Sequence, residues 1–134
     1  KGIRLKRGLK KSLNVIFPIS ILFSALTIIF APLIIKIIYG TNYIPAINLL
    51  RILALLIIVS PTIPVYTNYF VSQGKTNLIA KLLISVTILN IILNYTFISI
   101  LVKQSDFLAT MGASIATIFS VYIHLGLLTI FSKK

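Results

Sequence analysis

Four stretches of this chain, 12–35, 52–74, 82–102 and 107–132, contain no Asp, Glu, Lys or Arg. An α-helix rises about 1.5 Å per residue, so roughly 20 apolar residues cross the ~30 Å hydrocarbon core of a bilayer. Each of the four stretches is long enough, whereas a fifth, 37–50, is too short. Hydrophobic side chains make up 58% of the 134 residues, more than a soluble domain of this length can hide. The expected fold is all-α: a polytopic transmembrane helix bundle of four antiparallel spans, at about 13–38, 44–71, 78–101 and 110–131.

The formal net charge is +12. In a soluble protein that excess would point to nucleic acid; here the placement of the charges gives them another meaning. Lys1, Arg4, Lys6, Arg7, Lys10 and Lys11 precede the first span, Lys75 and Lys81 flank the second turn, and Lys133 and Lys134 follow the last span. With four crossings all ten share one side. Only Lys36, Arg51 and Lys103 fall on the other, with the single acid, Asp106. Basic residues collect in cytoplasmic loops, which predicts cytoplasmic termini and a multi-pass protein of the cytoplasmic membrane. Residues 1–12 read as a basic cytoplasmic connector, a short surface helix with Ile3, Leu5 and Leu9 turned inward and its basic side chains against anionic headgroups. The first apolar run is too long for a signal-peptide core. With no starting Met, the chain is expected to belong to something larger.

Within the spans, polar residues fall into patterns. Ser60-Pro61-Thr62-Ile63-Pro64 lies near the middle of span two, where each proline removes a backbone donor, so Pro61 and Pro64 mark a kink and a candidate hinge. Thr87, Asn90 and Asn94 share one face of span three, suited to interhelical hydrogen bonds or to a polar cavity wall. Gly112, Ala116 and Ser120 recur every fourth residue in span four, a spacing that lets helices pack closely. His124 lies one turn beyond Ser120, as a hydrogen-bonded structural group or a proton-titrating one. Arg51, early in span two, either snorkels to the interface or points into an aqueous cavity, where its planar guanidinium suits phosphate. Lys36 could join it across the Tyr39–Tyr43 turn.

Missing chemistry narrows the function. The uncharged stretches hold no carboxylate, there is no cysteine, and no glycine-rich phosphate loop or nucleophile–base pair is present. Catalysis, a bound metal and any other cofactor are not expected.

Phe30-Ala31-Pro32, Ile38-Tyr39-Gly40 with Tyr43 and Ala46, Leu50-Arg51-Ile52-Leu53, Gln73-Gly74-Lys75, Asn90-Ile91-Ile92-Leu93-Asn94 and Met111-Gly112-Ala113-Ser114-Ile115-Ala116-Thr117 follow in order along the chain. Together they resemble the C-terminal region of polysaccharide flippases, in the multidrug/oligosaccharidyl-lipid/polysaccharide exporter superfamily. The resemblance runs from about residue 21 to 130. It implies that residues 13–134 form four helices of the C-terminal lobe, completed by an N-terminal lobe. It also implies alternating-access export of a polyprenyl-diphosphate-linked oligosaccharide for surface polysaccharide biosynthesis. Arg51 and Lys36 would then attract the diphosphate, and Asn90 and Asn94 would meet the saccharide. The partners are the lipid bilayer, the lipid-linked substrate and the rest of the transporter, with no nucleic acid. Two other readings stay open: a multidrug antiporter lobe, which needs an ionisable coupling residue, and a truncated or purely structural membrane protein.

Overall fold

The computed structural model describes residues 2–133. Helix α1 spans Gly2–Tyr39, and a single 3-10 turn covers Thr41–Tyr43. Helices α2 (Ala46–Leu53), α3 (Leu55–Val59) and α4 (Thr62–Val71) follow end to end as one broken crossing. Helices α5 (Thr76–Leu101) and α6 (Asp106–Lys133) complete the chain. Four segments are thus long and apolar enough to span a membrane: α1, the α2–α4 series, α5 and α6.

The expected connector is not a separate element. Gly2–Ser12 continue α1 without a break, making a 38-residue helix about 57 Å long, well beyond the hydrocarbon thickness. Lys and Arg are good helix formers, and nothing near residue 12 stops the helix. Its Leu5, Leu9 and Leu13 pack against a core of Tyr66, Tyr69, Phe70, Leu82 and Leu128. Ile3 is 78% exposed and does not join this core. Similar shifts occur elsewhere: α5 begins at Thr76 and α6 occupies Asp106–Lys133, because a helix does not end where the bilayer does.

The turns have local causes. Gly74, at φ +73°, follows α4, and the Lys75 amide donates back to the Phe70 carbonyl at 3.0 Å, a left-handed helix stop that favours glycine. Gly40, at φ +81° and ψ −178°, turns the chain out of α1 in a backbone conformation open to glycine, its own amide donating to the Lys36 carbonyl at 3.2 Å. At the start of α6, Ser105 Oγ accepts from the Leu108 amide at 3.1 Å, and Asp106 sits in the positive first turn.

Packing runs in a row. Helix α1 lies along α2, α3 and α4; these lie along α6; and α6 lies along α5. The face of α1 turned to the broken crossing carries Ser20, Ser24, Ala31 and Ile35, all buried. Three are small, so two backbones approach closely, the condition for tight association where lipid removes the hydrophobic drive. The outer faces are apolar and exposed, as with Phe23, Ile91 and Tyr95 at 58%, 62% and 76%; such surfaces call for lipid rather than water.

The second crossing breaks twice. The break at Ser60–Pro61 is the expected one, since Pro61 and Pro64 leave the carbonyls of Ile57 and Ser60 without amide donors. A further break falls at Ala54. Its carbonyl accepts from Ser24 Oγ at 2.8 Å and from the Ile57 amide, three residues on, at 3.1 Å. A buried hydroxyl of α1 thus competes for a carbonyl of the neighbouring crossing and tightens it.

Candidate functional site

Two regions hold the sequence-derived candidates, at different levels of the bundle. The first surrounds Arg51, on the exposed side of α2 near the end opposite the basic terminus. Its Nε donates to the carbonyl oxygen of Ile28 at 3.4 Å. In a regular helix that carbonyl would receive the amide of residue 32, but residue 32 is proline. Arg51 therefore covers a backbone acceptor that Pro32 leaves open. No partner for its two Nη groups is seen among the described residues. Lys36 is also exposed, and lies eight residues beyond Ile28 on α1, about 12 Å along the axis. The structure does not bring Lys36 and Arg51 into one contact.

The second region lies between α5 and α6, where a groove of about 260 Å³ is lined by Thr87 and Asn90 from one helix and Thr117, Ser120 and His124 from the other. Two polar stripes, separate in sequence, face each other here. His124 is only 8% exposed, and its Nε2 has no hydrogen-bond partner. Asn94 does not line the groove; its Nδ2 donates to the Asn90 carbonyl at 2.9 Å and to Asn90 Oδ1 at 3.1 Å. Ser120 and Thr117 donate to their own helix, at Ala116 and Ala113, which leaves their oxygens free to accept.

The small-residue face of α6 is buried. Ala116 is 0% and Ser120 1% exposed, and a Cβ added at Gly112 would come within 2.5 Å of Leu101 Cδ1. Pro61 and Pro64 are exposed at the mid-crossing break. Among the described residues no cluster of His, Cys, Asp or Glu could hold a metal ion.

Sequence reasoning missed a larger groove of about 580 Å³ between α1, α4 and α6, where Asn14, Pro18, Thr62, Tyr66 and Thr129 meet. It also missed the Arg51–Ile28 and Ser24–Ala54 bonds. The first had a readable signal: a proline in a helix exposes the carbonyl four residues earlier, and an arginine on the next crossing can reach it.

A family model described as MatE matches residues 3–96, covering α1, the broken crossing and most of α5. No curated protein matches the chain, and neither does any solved structure.

Proposed function

Since this chain belongs to the MatE family of membrane transporters, we propose that it takes part in exporting a polyprenyl-diphosphate-linked oligosaccharide by alternating access. It is a multi-pass membrane protein and not an enzyme. Its four crossings would form part of the C-terminal lobe, facing an N-terminal lobe across the substrate path. The lipid diphosphate requires a cation that is both positioned and available. Arg51 supplies that combination: Nε is occupied by the Ile28 carbonyl, while the Nη pair remains free to bind two phosphate oxygens. Lys36, further along α1, would add long-range attraction rather than a shared contact. The breaks at Ala54 and Ser60–Pro61 would let the second crossing bend during the cycle.

Arg51 carries this reading, and Arg51→Ala tests it. In the full-length transporter, surface polysaccharide should fall sharply while the protein accumulates normally. Normal export at normal expression would overturn the proposal. A multidrug antiporter is the competing branch, and the family match at residues 3–96 is compatible with it. That branch calls for an ionisable coupling group; the uncharged stretches hold no carboxylate, which leaves the buried His124 as the candidate for that role within them.

A further inference from the structure

We propose that a groove between α1 and α4, at the basic end of the bundle, holds the headgroup of one anionic phospholipid, with Arg4 binding its phosphodiester. The groove measures about 340 Å³. Its lining changes along its length as a phospholipid does. Arg4 and Ser72 stand at one end, Asn68 and Tyr69 come next, and Ile16 and Val65 close the other end. Arg4 and Ile16 lie twelve residues apart on α1, about 18 Å along the axis. The charged part of α1, up to Lys11, runs beyond the hydrocarbon. The polar end therefore sits at headgroup depth, and the apolar end meets the first carbons of the acyl chains.

The polar groups there are open and unpaired. Arg4 has no ion pair, since the single acid, Asp106, starts α6 at the opposite end of the bundle. Asn68 is exposed, and its amide makes no hydrogen bond among the described residues. Tyr69 is only 7% exposed; its hydroxyl also lacks a partner there, yet is not sealed from the surface. Ser72 Oγ donates to the Tyr69 carbonyl at 2.8 Å, which leaves its oxygen to accept from a headgroup hydroxyl. One guanidinium with neutral donors matches the single charge of a phosphodiester. Arg7 and Lys11 share Arg4's side of α1, so a choline headgroup, which carries its own positive charge, is disfavoured. Basic residues that merely rest on headgroups need no groove. Glycine weakens a helix interior, and a Cβ at Gly8 would meet nothing within 4 Å, so packing does not require it. The missing side chain keeps the groove open.

The test places the full-length transporter in phosphatidylcholine nanodiscs with phosphatidylglycerol that carries a diazirine high on one acyl chain. After irradiation, adducts are mapped by mass spectrometry as the probe fraction rises. Labelling at Ile16 and Val65 should saturate, while a phosphatidylcholine probe with the same chain should stay at background. Gly8→Leu fills the groove with every charge kept and should abolish the saturable labelling. Arg4→Gln should weaken it roughly tenfold, about the loss of one charge-assisted hydrogen bond. Lys6→Gln removes the same charge from the other side of α1 and should leave labelling unchanged. All three positions are exposed, so each variant should keep the parent's Tm. Equal labelling by the phosphatidylcholine probe, or unchanged labelling in Gly8→Leu, overturns the site. A loss in Lys6→Gln as large as in Arg4→Gln does too, because the attraction is then diffuse. An unlabelled groove also overturns it, since another part of the transporter then covers α1 and α4. Displacement of the probe by millimolar inorganic phosphate overturns it in favour of a free anion. The readout is the same whatever substrate is exported, so this site and the Arg51 reading stand or fall separately.

Discussion

Arg51 Nε and the carbonyl oxygen of Ile28 lie 3.4 Å apart, and the bond exists because Pro32 cannot supply the amide that carbonyl would otherwise accept. One residue thus completes a proline-interrupted helix and presents a guanidinium at the same point. The bond is long and Arg51 is exposed, so its contribution to stability is about 1 kcal/mol or less. Losing it should not unfold the protein.

That difference in scale separates the two roles. Arg51→Ala should accumulate normally yet lose more than about tenfold in surface polysaccharide, since a charge partner withdrawn from a bound anion costs ~2 kcal/mol or more. Arg51→Lys keeps the charge without the planar fork and should retain an intermediate activity. Equal export in all three proteins would show that Arg51 serves α1 alone.

Pro32→Ala probes the same relationship from the other side. The new amide can bond to the Ile28 carbonyl and would displace Arg51 Nε. A helix-interior proline costs up to ~3 kcal/mol against alanine, so the variant should be at least as heat-stable as the parent. Export should decline because the guanidinium loses its anchor. A stability gain with unchanged export would mean that the anchor has no part in transport.

Pro61→Ala and Pro64→Ala address the mid-crossing break. Each restores a backbone donor, to the Ile57 and Ser60 carbonyls respectively, and should raise Tm in detergent. If the break serves as a hinge, export should fall as Tm rises, the usual conflict between stability and a moving element. A higher Tm with full export would leave the prolines a purely local role.

The four crossings were legible because charge-free length is a one-dimensional property, and the break at Pro61 because proline acts on its own helix. Where the helix that carries the first span begins was not legible, for a related reason. The charges near Lys10 and Lys11 mark the expected edge of hydrocarbon, but the helix runs on through them. The Ala54 break, the Arg51–Ile28 bond and the facing of Asn90 toward His124 depend on which crossing packs against which. That arrangement is set by small faces such as Ser20, Ser24 and Ala31, whose partner no single segment names. The polar stripes on α5 and α6 were each visible, but not that they share a groove.

Orientation can be read chemically: residues 1–134 hold no cysteine, and any cysteine outside them is first replaced by serine. Cysteines at Thr41→Cys and Gln104→Cys should react with an impermeant maleimide on intact cells. Gln73→Cys should react only after the membrane is opened. The expectation follows from the basic residues gathered at the end that carries residues 72–75. The opposite labelling pattern would reverse the topology, placing Arg51 nearer the cytoplasm.

Gly112 and Leu101 provide the sharpest test of how α5 and α6 are held. A methyl group at Gly112 would meet Leu101 Cδ1 at 2.5 Å and Phe97 Cβ at 3.3 Å. The first neighbour is the end of a flexible side chain and can rotate away; the second is fixed to the backbone of α5. Gly112→Ala should therefore cost about 1 kcal/mol, while Gly112→Leu, which has to part the helices, should cost about 3 kcal/mol. Because the main clash is with Leu101, the Gly112→Ala penalty should shrink in a Leu101→Ala background, with a coupling of at least ~0.5 kcal/mol. Thermal unfolding of the four proteins in one detergent measures that coupling. Strict additivity would mean that the two helices do not meet at this point.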